Sequence, residues 1–461
     1  MRIFLVLMLA LPLGVGCRSG LKGVDTGTGF VCDEDDFADV SAAIAAGIFV
    51  VGGDRIEALD DFEAAIQEYM WAESIPNAGV AFVAMDGRLV LRQGYTNHCG
   101  GERDDSGALV HASEMGTPET RYRVGSISKV ITATAVVAQS EALDSALSLD
   151  DRLTDFIAME PAADFDEDGV IDTQDPRVEE ITLDHLLRHR PGWNCRKSTE
   201  PEYVGEPAKS DLSIQDAFAR VGTALSLPIS VNDIIGYGSG LPLATDPGTQ
   251  KSYCGFSYTL LGEVLALTTG RSVTDAVDDL VFSKLDENTF IQGHTLRSEA
   301  QSDELWYHYH SDATAESVMV EGAMAAHPYG GAFNLENRLS AGGWLASAPD
   351  LVRLGWAFIR GELVSDPAGL VDRNVGWAKD FRRREGATGH TGSLEGSHSI
   401  LFCYAADDPV PAVAGACWAV LFNKSPPRTD ADGVEPRDVL ADTLAEIPLG
   451  VVGLGDGEDY W

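Results

Sequence analysis

The chain is poor in positive charge. Against 72 Asp and Glu it sets only 33 Lys and Arg in 461 residues, a formal net charge of −39. A field of that sign repels phosphate, which excludes nucleic acid as a partner and excludes charge-driven docking to anionic membranes. Long apolar runs are also missing. Ile3–Leu13 and Ala42–Val51 both fall short of the roughly 20 residues that a spanning helix needs. No Cys-x-x-Cys or Cys-x-x-His spacing occurs, so a structural zinc site is not expected. No Gly-x-Ser-x-Gly occurs, which removes the α/β-hydrolase nucleophile elbow. Repeats with the period of a solenoid are absent. The 44% hydrophobic content is that of an ordinary globular chain.

What is present begins with an address. Arg2, the apolar run Ile3–Leu13 and the small residues Gly14 and Gly16 ahead of Cys17 form an export signal over residues 1–17. Leu13-Gly14-Val15-Gly16-Cys17 resembles a permissive bacterial lipobox, which implies a lipid anchor at Cys17; plain cleavage and a free secreted protein is the other reading. Either way the protein is exported, to the periplasm, the outer membrane or the medium. The remaining six cysteines are an even set for an oxidising compartment. Cys403 and Cys417 are expected to pair, because they sit in apolar runs joined by the turn-rich Asp407-Asp408-Pro409, which would place them on adjacent antiparallel strands.

Residues 18–55, rich in Gly and Asp, read as a tether and an amino-terminal segment. Helical spacing appears at Asp60–Trp71, Ser128–Ala142, Leu183–Arg188, Ile214–Leu225, Phe256–Thr269 and Ala348–Arg360. Ala78–Val83 and Leu89–Gln93 flank Asp86-Gly87, a strong hairpin signal, and strand patterns return after residue 390. Strands at both ends with helices between predict an α+β fold: one α/β domain from residues 56–125 plus 311–461, and an inserted helical domain over 126–310.

Chemistry starts at Gly125-Ser126-Ile127-Ser128-Lys129. A serine and a lysine three apart on a helix share one face. A hydroxyl at the opening of that helix stands at the positive end of its dipole, where backbone N–H groups can hold an oxyanion. Burial among Val130, Ile131 and alanines would disfavour the charge on Lys129. The pattern alone is weak, since Ser19-Gly20-Leu21-Lys22 also matches, and a serine there is as readily a helix cap.

Company strengthens it. Tyr122–Lys129, Leu149-Asp150-Asp151, Ile181–His189 with Pro191-Gly192, Pro247-Gly248 before Tyr253, Ala341-Gly342-Gly343-Trp344 and Gly389-His390-Thr391-Gly392-Ser393 stand in one order. In that order they resemble the serine β-lactamase-like superfamily, in the branch of class C β-lactamases, D-alanyl-D-alanine carboxypeptidases and family VIII esterases. The resemblance implies an antiparallel sheet flanked by helices with an inserted, mainly helical domain. It implies Ser126 as nucleophile, Lys129 as neighbouring cation and Tyr253 as base and acid. It also implies an oxyanion hole from the N–H groups of Ser126 and Ser393, substrate contacts from His390, Thr391, Gly392 and Ser393, a small ester or peptide substrate and no catalytic cofactor. Two departures stand out. Gly255 replaces the asparagine of Tyr-x-Asn, and His390 replaces the lysine of Lys-Thr-Gly. Both weaken the grip on a substrate carboxylate, so an esterase or small peptidase is favoured over an efficient β-lactamase. A penicillin-interactive carboxypeptidase and a silent binding protein remain as alternatives. Cys254 is expected to be bridged, Cys195 being one candidate partner, which would staple the tyrosine loop.

A separate feature is the acidic loop 164–175. Asp164, Asp166, Asp168, the backbone of Val170, Asp172 and Asp175 match the ligand positions of an EF-hand-type calcium loop, with Gly169 at the sharp turn and Ile171 at the apolar eighth place. Structural calcium is the expectation, against a solvated acidic turn. His308-Tyr309-His310 reads as packing or a cleft wall, not as a metal site, for want of a carboxylate or thiolate at ligand spacing. Oligomeric state is not encoded in any pattern.

Overall fold

The computed structural model describes residues 24–25, 31–32, 40–45, 49–101, 114–145, 147–161, 173–195, 227–286, 288–309, 314–411, 413–425, 436–447 and 459–461. The export signal, Cys17, helix pattern 214–225, His310 and the calcium-loop positions other than Asp175 lie outside the described residues.

The main strands are β1 (Phe49–Asp54), β2 (Asn77–Val83), β3 (Leu89–Asn97), β4 (Tyr122–Arg123), β5 (Ile291–Gln292), β6 (Trp344–Ala346), β7 (Ala378–Lys379), β8 (Thr388–Leu394), β9 (Ser397–Cys403) and β10 (Cys417–Phe422). Seven of them form one antiparallel sheet in the order β7-β8-β9-β10-β2-β3-β1. Its central seam joins the two ends of the chain, with Ala419 opposite Ala81 and Val420 opposite Val80. Both faces are covered, which is why Cys417–Phe422 is apolar at every position instead of alternating. Phe82, Trp418 and Val420 face one core together with helix α1 (Asp60–Ala72), and Ala81, Val83, Ala419 and Leu421 face the other.

On that second face lie α2 (Ile127–Glu141), α3 (Gly255–Thr269), the one-turn α4 (Leu339–Gly342) and α5 (Ala348–Ile359). The small-residue sequence of α2 permits burial of every residue from Ile127 to Ala138. Helix α3 ends where Gly270 turns left-handed (φ 64°). Strand β6 pairs with β4 and β5 in a small second sheet that leads directly into Ser126. No helix among the described residues is long and apolar enough to cross a membrane.

The hairpin at Asp86-Gly87 forms, with Gly87 at φ 91°. Cys403 and Cys417 are directly opposed on β9 and β10 and are bonded. One expectation is corrected. Phe49–Asp54, inside the stretch read as tether, is the edge strand of the main sheet, paired with Arg92–Asn97. Only Phe49 of its six residues is fully buried, so backbone pairing, not an apolar pattern, holds it there.

Candidate active site

Ser126 opens α2 with helical φ and ψ, and its side chain caps nothing. The helix-cap reading therefore fails, and the hydroxyl is available for chemistry. Lys129, 3% exposed, donates from Nζ to Ser126 Oγ (3.2 Å) and to the carbonyl of Ala341 (2.6 Å). Helix α4 brings that carbonyl in. Its neighbour Ser340 accepts from Thr132 Oγ1 (2.8 Å), and Trp344 N donates to Ser128 Oγ (3.2 Å), so Ala341–Trp344 is clamped along α2.

Strand β8 reaches the Ser126 turn because two glycines let backbone meet backbone. A Cβ on Gly392 would lie 2.0 Å from the Val124 carbonyl, and one on Gly125, itself at φ 52°, would lie 2.8 Å from Ser393 N. Ser399 Oγ on β9 ties the pair by donating to the same Val124 carbonyl (2.7 Å). Any side chain at either glycine would push the Ser126 turn away from the strand.

Tyr253 comes from the loop before α3. Cys195–Cys254 is a disulfide, Ser252 N donates to the His189 carbonyl (2.8 Å), Cys195 N donates to Ser252 Oγ (3.0 Å) and Cys254 N donates to His189 Nδ1 (3.0 Å). The Tyr253 ring packs on the His189 ring (centroids 4.4 Å apart) and faces His390 at 6.2 Å. Lys129 Nζ stands 5.1 Å from its centroid. A second tyrosine near Lys129, Tyr258, donates its hydroxyl to the Leu187 carbonyl (2.9 Å) and is pushed up by complete burial, so it serves structure. Ser126, Lys129, Tyr253 and His390–Ser393 thus lie together, and Gly255 follows two residues after Tyr253 at the start of α3.

His390 is half-buried. Its Nδ1 lies 2.5 Å from the Thr391 carbonyl, which can only accept, so Nδ1 carries the hydrogen and Nε2 is left as an acceptor. Burial, and then the charge on Lys129, push it down to about 4. His189 is held well below the ordinary imidazole range by burial and by the same lysine. Both are therefore neutral at pH 7, while in the unfolded chain each would take up a proton below about 6.5. Unfolding then binds protons, and stability falls as pH drops from 7 towards 5, by at most about 1.4 kcal/mol per pH unit for each histidine. Urea titrations at pH 7, 6 and 5 should give a shallower fall for His390→Gln than for the parent; identical slopes would contradict the burial argument.

Other expected residues lie elsewhere. Asp175, the one described calcium-loop position, is engaged by Arg177 (2.7 Å) and by Leu243 N (3.1 Å), and sits at about 2, chiefly through the Arg177 hydrogen bond. His308 is buried, its N–H donating to the Asn423 carbonyl (2.8 Å), and Tyr309 stacks on His327, so packing is the better account of that stretch. The sequence reading gave no role to His189, which lay inside a quoted motif, or to the Ala341 carbonyl, whose only trace was the small-residue run that lets it approach.

A family model described as Beta-lactamase matches residues 62–443. Two solved structures share the fold: the octameric penicillin-binding protein homologue from Pyrococcus abyssi (TM-score 0.53, 21% identity, 84% of this chain and 76% of that one) and the D-amino acid amidase from Ochrobactrum anthropi SV3 (TM-score 0.55, 16% identity, 84% and 98%). Among curated proteins, the probable fimbrial assembly protein FimD, serogroup H1, of Dichelobacter nodosus is 25% identical over 236 residues, 51% of this chain and 48% of its own. The chain spans about half the length of the curated relatives it matches.

Proposed function

This chain belongs to the beta-lactamase family, and on that premise we propose that it is an exported serine hydrolase that opens ester or amide bonds through an acyl-enzyme on Ser126. The observation that carries the reading is the hydroxyl of Ser126, free of any capping role, within 3.2 Å of a buried lysine that also touches the face of Tyr253. Tyr253, its phenolate favoured by the Lys129 charge, takes the Ser126 proton as Oγ attacks the carbonyl carbon. The N–H groups of Ser126 and Ser393 hold the oxyanion, and the Tyr253 proton passes to the departing alcohol or amine. Water then gives a proton to Tyr253 as it attacks the acyl carbon, and Tyr253 passes that proton to Ser126 Oγ as the acyl–oxygen bond breaks and the acid is released. No step calls on a metal or organic cofactor.

His390 and Gly255 shape the substrate. A neutral imidazole with Nδ1–H committed offers Nε2 as an acceptor, suited to an N–H or O–H of the substrate and unsuited to a carboxylate. Without the asparagine amide, Lys129 takes the Ala341 carbonyl as its second partner. Short esters and amides bearing a donor group fit better than penicillins or peptides ending in a free carboxylate. An export leader over residues 1–17, lipidation at Cys17 and calcium in the 164–175 loop belong to the same proposal; the bonded pairs Cys195–Cys254 and Cys403–Cys417 support an oxidising address.

The test is Ser126→Ala assayed on p-nitrophenyl acyl esters and on D-amino acid amides. Turnover should fall on the order of 10³-fold or more with circular dichroism unchanged; equal rates would refute the assignment. One observation, Gly255, favours a second reading, a silent envelope-binding protein. That reading predicts no turnover by the parent chain on either substrate class.

A further inference from the structure

Away from the active site, three metal-capable side chains converge where β5 leaves the small sheet. A ring nitrogen of His294 and carboxylate oxygens of Glu299 and Glu336 all lie within 4.8 Å of one another. His294 Nδ1 and Glu336 Oε1 are 3.3 Å apart. Two ligands of one tetrahedral ion with bonds of about 2.0–2.1 Å are separated by about 3.3 Å, so this pair already has the spacing of a coordination edge. Glu336 is held in place for that role. Thr295, fully buried, donates its Oγ1 to Oε2 and its N–H to Oε1 (3.2 Å), the kind of outer contact that orients a ligating carboxylate. His294 is fixed from the other side, its carbonyl accepting from Arg123 Nη2 (2.9 Å). Glu299 is exposed, its carboxylate makes no hydrogen bond or ion pair among the described residues, and it can swing in as the third ligand.

We propose that His294, Glu299 and Glu336 bind a zinc-type dication that ties the segment after β5 to the turn preceding α4. One imidazole and two carboxylates suit a borderline metal; calcium takes an all-oxygen shell of higher number. The strongly negative chain favours capture of any dication. The role is structural. The turn carrying Glu336 runs into Leu339–Gly342, whose Ala341 carbonyl anchors Lys129, so the ion would stiffen the support of the lysine without touching substrate.

The test uses the full chain freed of metal with EDTA, melted and titrated calorimetrically with zinc chloride and, separately, calcium chloride. Zinc should bind once per chain at this site and raise the melting midpoint by several degrees. Glu299→Ala and His294→Ala should each weaken that binding at least about tenfold and remove the shift, while the metal-free Glu299→Ala protein melts like the parent. Absence of zinc binding, a zinc shift unchanged in both variants, or a calcium shift that these substitutions abolish would each overturn the proposal.

Discussion

Replacing Lys129 by methionine is expected to reduce kcat/KM on acyl esters by about 10²–10⁴-fold, the range that one positioned proton-transfer partner supplies. The substitution keeps an unbranched apolar stem one atom shorter, so α2, buried from Ile127 to Ala138, should remain packed. What disappears is the cation between Ser126 Oγ, the Ala341 carbonyl and the Tyr253 ring. Without it nothing favours the Tyr253 phenolate near neutrality, and residual rate should rise with pH as the phenol ionises unaided. A pH–rate profile of the variant, set beside its unaltered circular dichroism, checks this. A wild-type rate with a wild-type profile would remove Lys129 from the chemistry.

The second large effect concerns Arg123, three residues before Ser126. Its side chain and that of Glu304 are wholly buried and 3.5 Å apart. The guanidinium also donates to the carbonyls of Pro328 (2.5 Å) and His294 (2.9 Å) and lies over the Tyr307 ring at 4.3 Å. Arg123→Ala strands the Glu304 carboxylate and two carbonyls in the interior, which should cost about 3–5 kcal/mol in urea denaturation. Removing both charges, as Arg123→Met with Glu304→Met, should recover part of that loss, because an apolar pair does not leave a lone buried charge. A surface-like cost below about 1 kcal/mol for Arg123→Ala would show that the pair is not desolvated in solution.

Sequence patterns singled out residues that the structure brings near one another, and described their surroundings less fully. The order of Ser126–Lys129, Tyr253 and His390–Ser393 was readable, and so was the Cys403–Cys417 pair, because both depend on local spacing and on residue types that do chemistry. The Ala341 carbonyl was not readable, since a backbone oxygen leaves no mark beyond the small residues around it. His189 and Arg123 stood inside quoted motifs, yet their work depends on partners 65 to 205 positions away, such as Cys254, Glu304 and Pro328. The edge strand Phe49–Asp54 escaped for a related reason. It is held by main-chain pairing to β3, with Gly52 and Gly53 where an apolar pattern would be sought. The family match covers the helices that carry the site and every strand of the sheet except the edge strand Phe49–Asp54, which is why fold and site can be argued together.

The central claim is that the hydroxyl of Ser126 is a nucleophile. Incubating the folded parent chain with a fluorophosphonate and mapping the product by intact-mass and peptide mass spectrometry addresses it directly. One adduct per chain, on Ser126 and lost in Ser126→Ala, is the predicted result; no adduct, or one on another side chain that persists in Ser126→Ala, would contradict it.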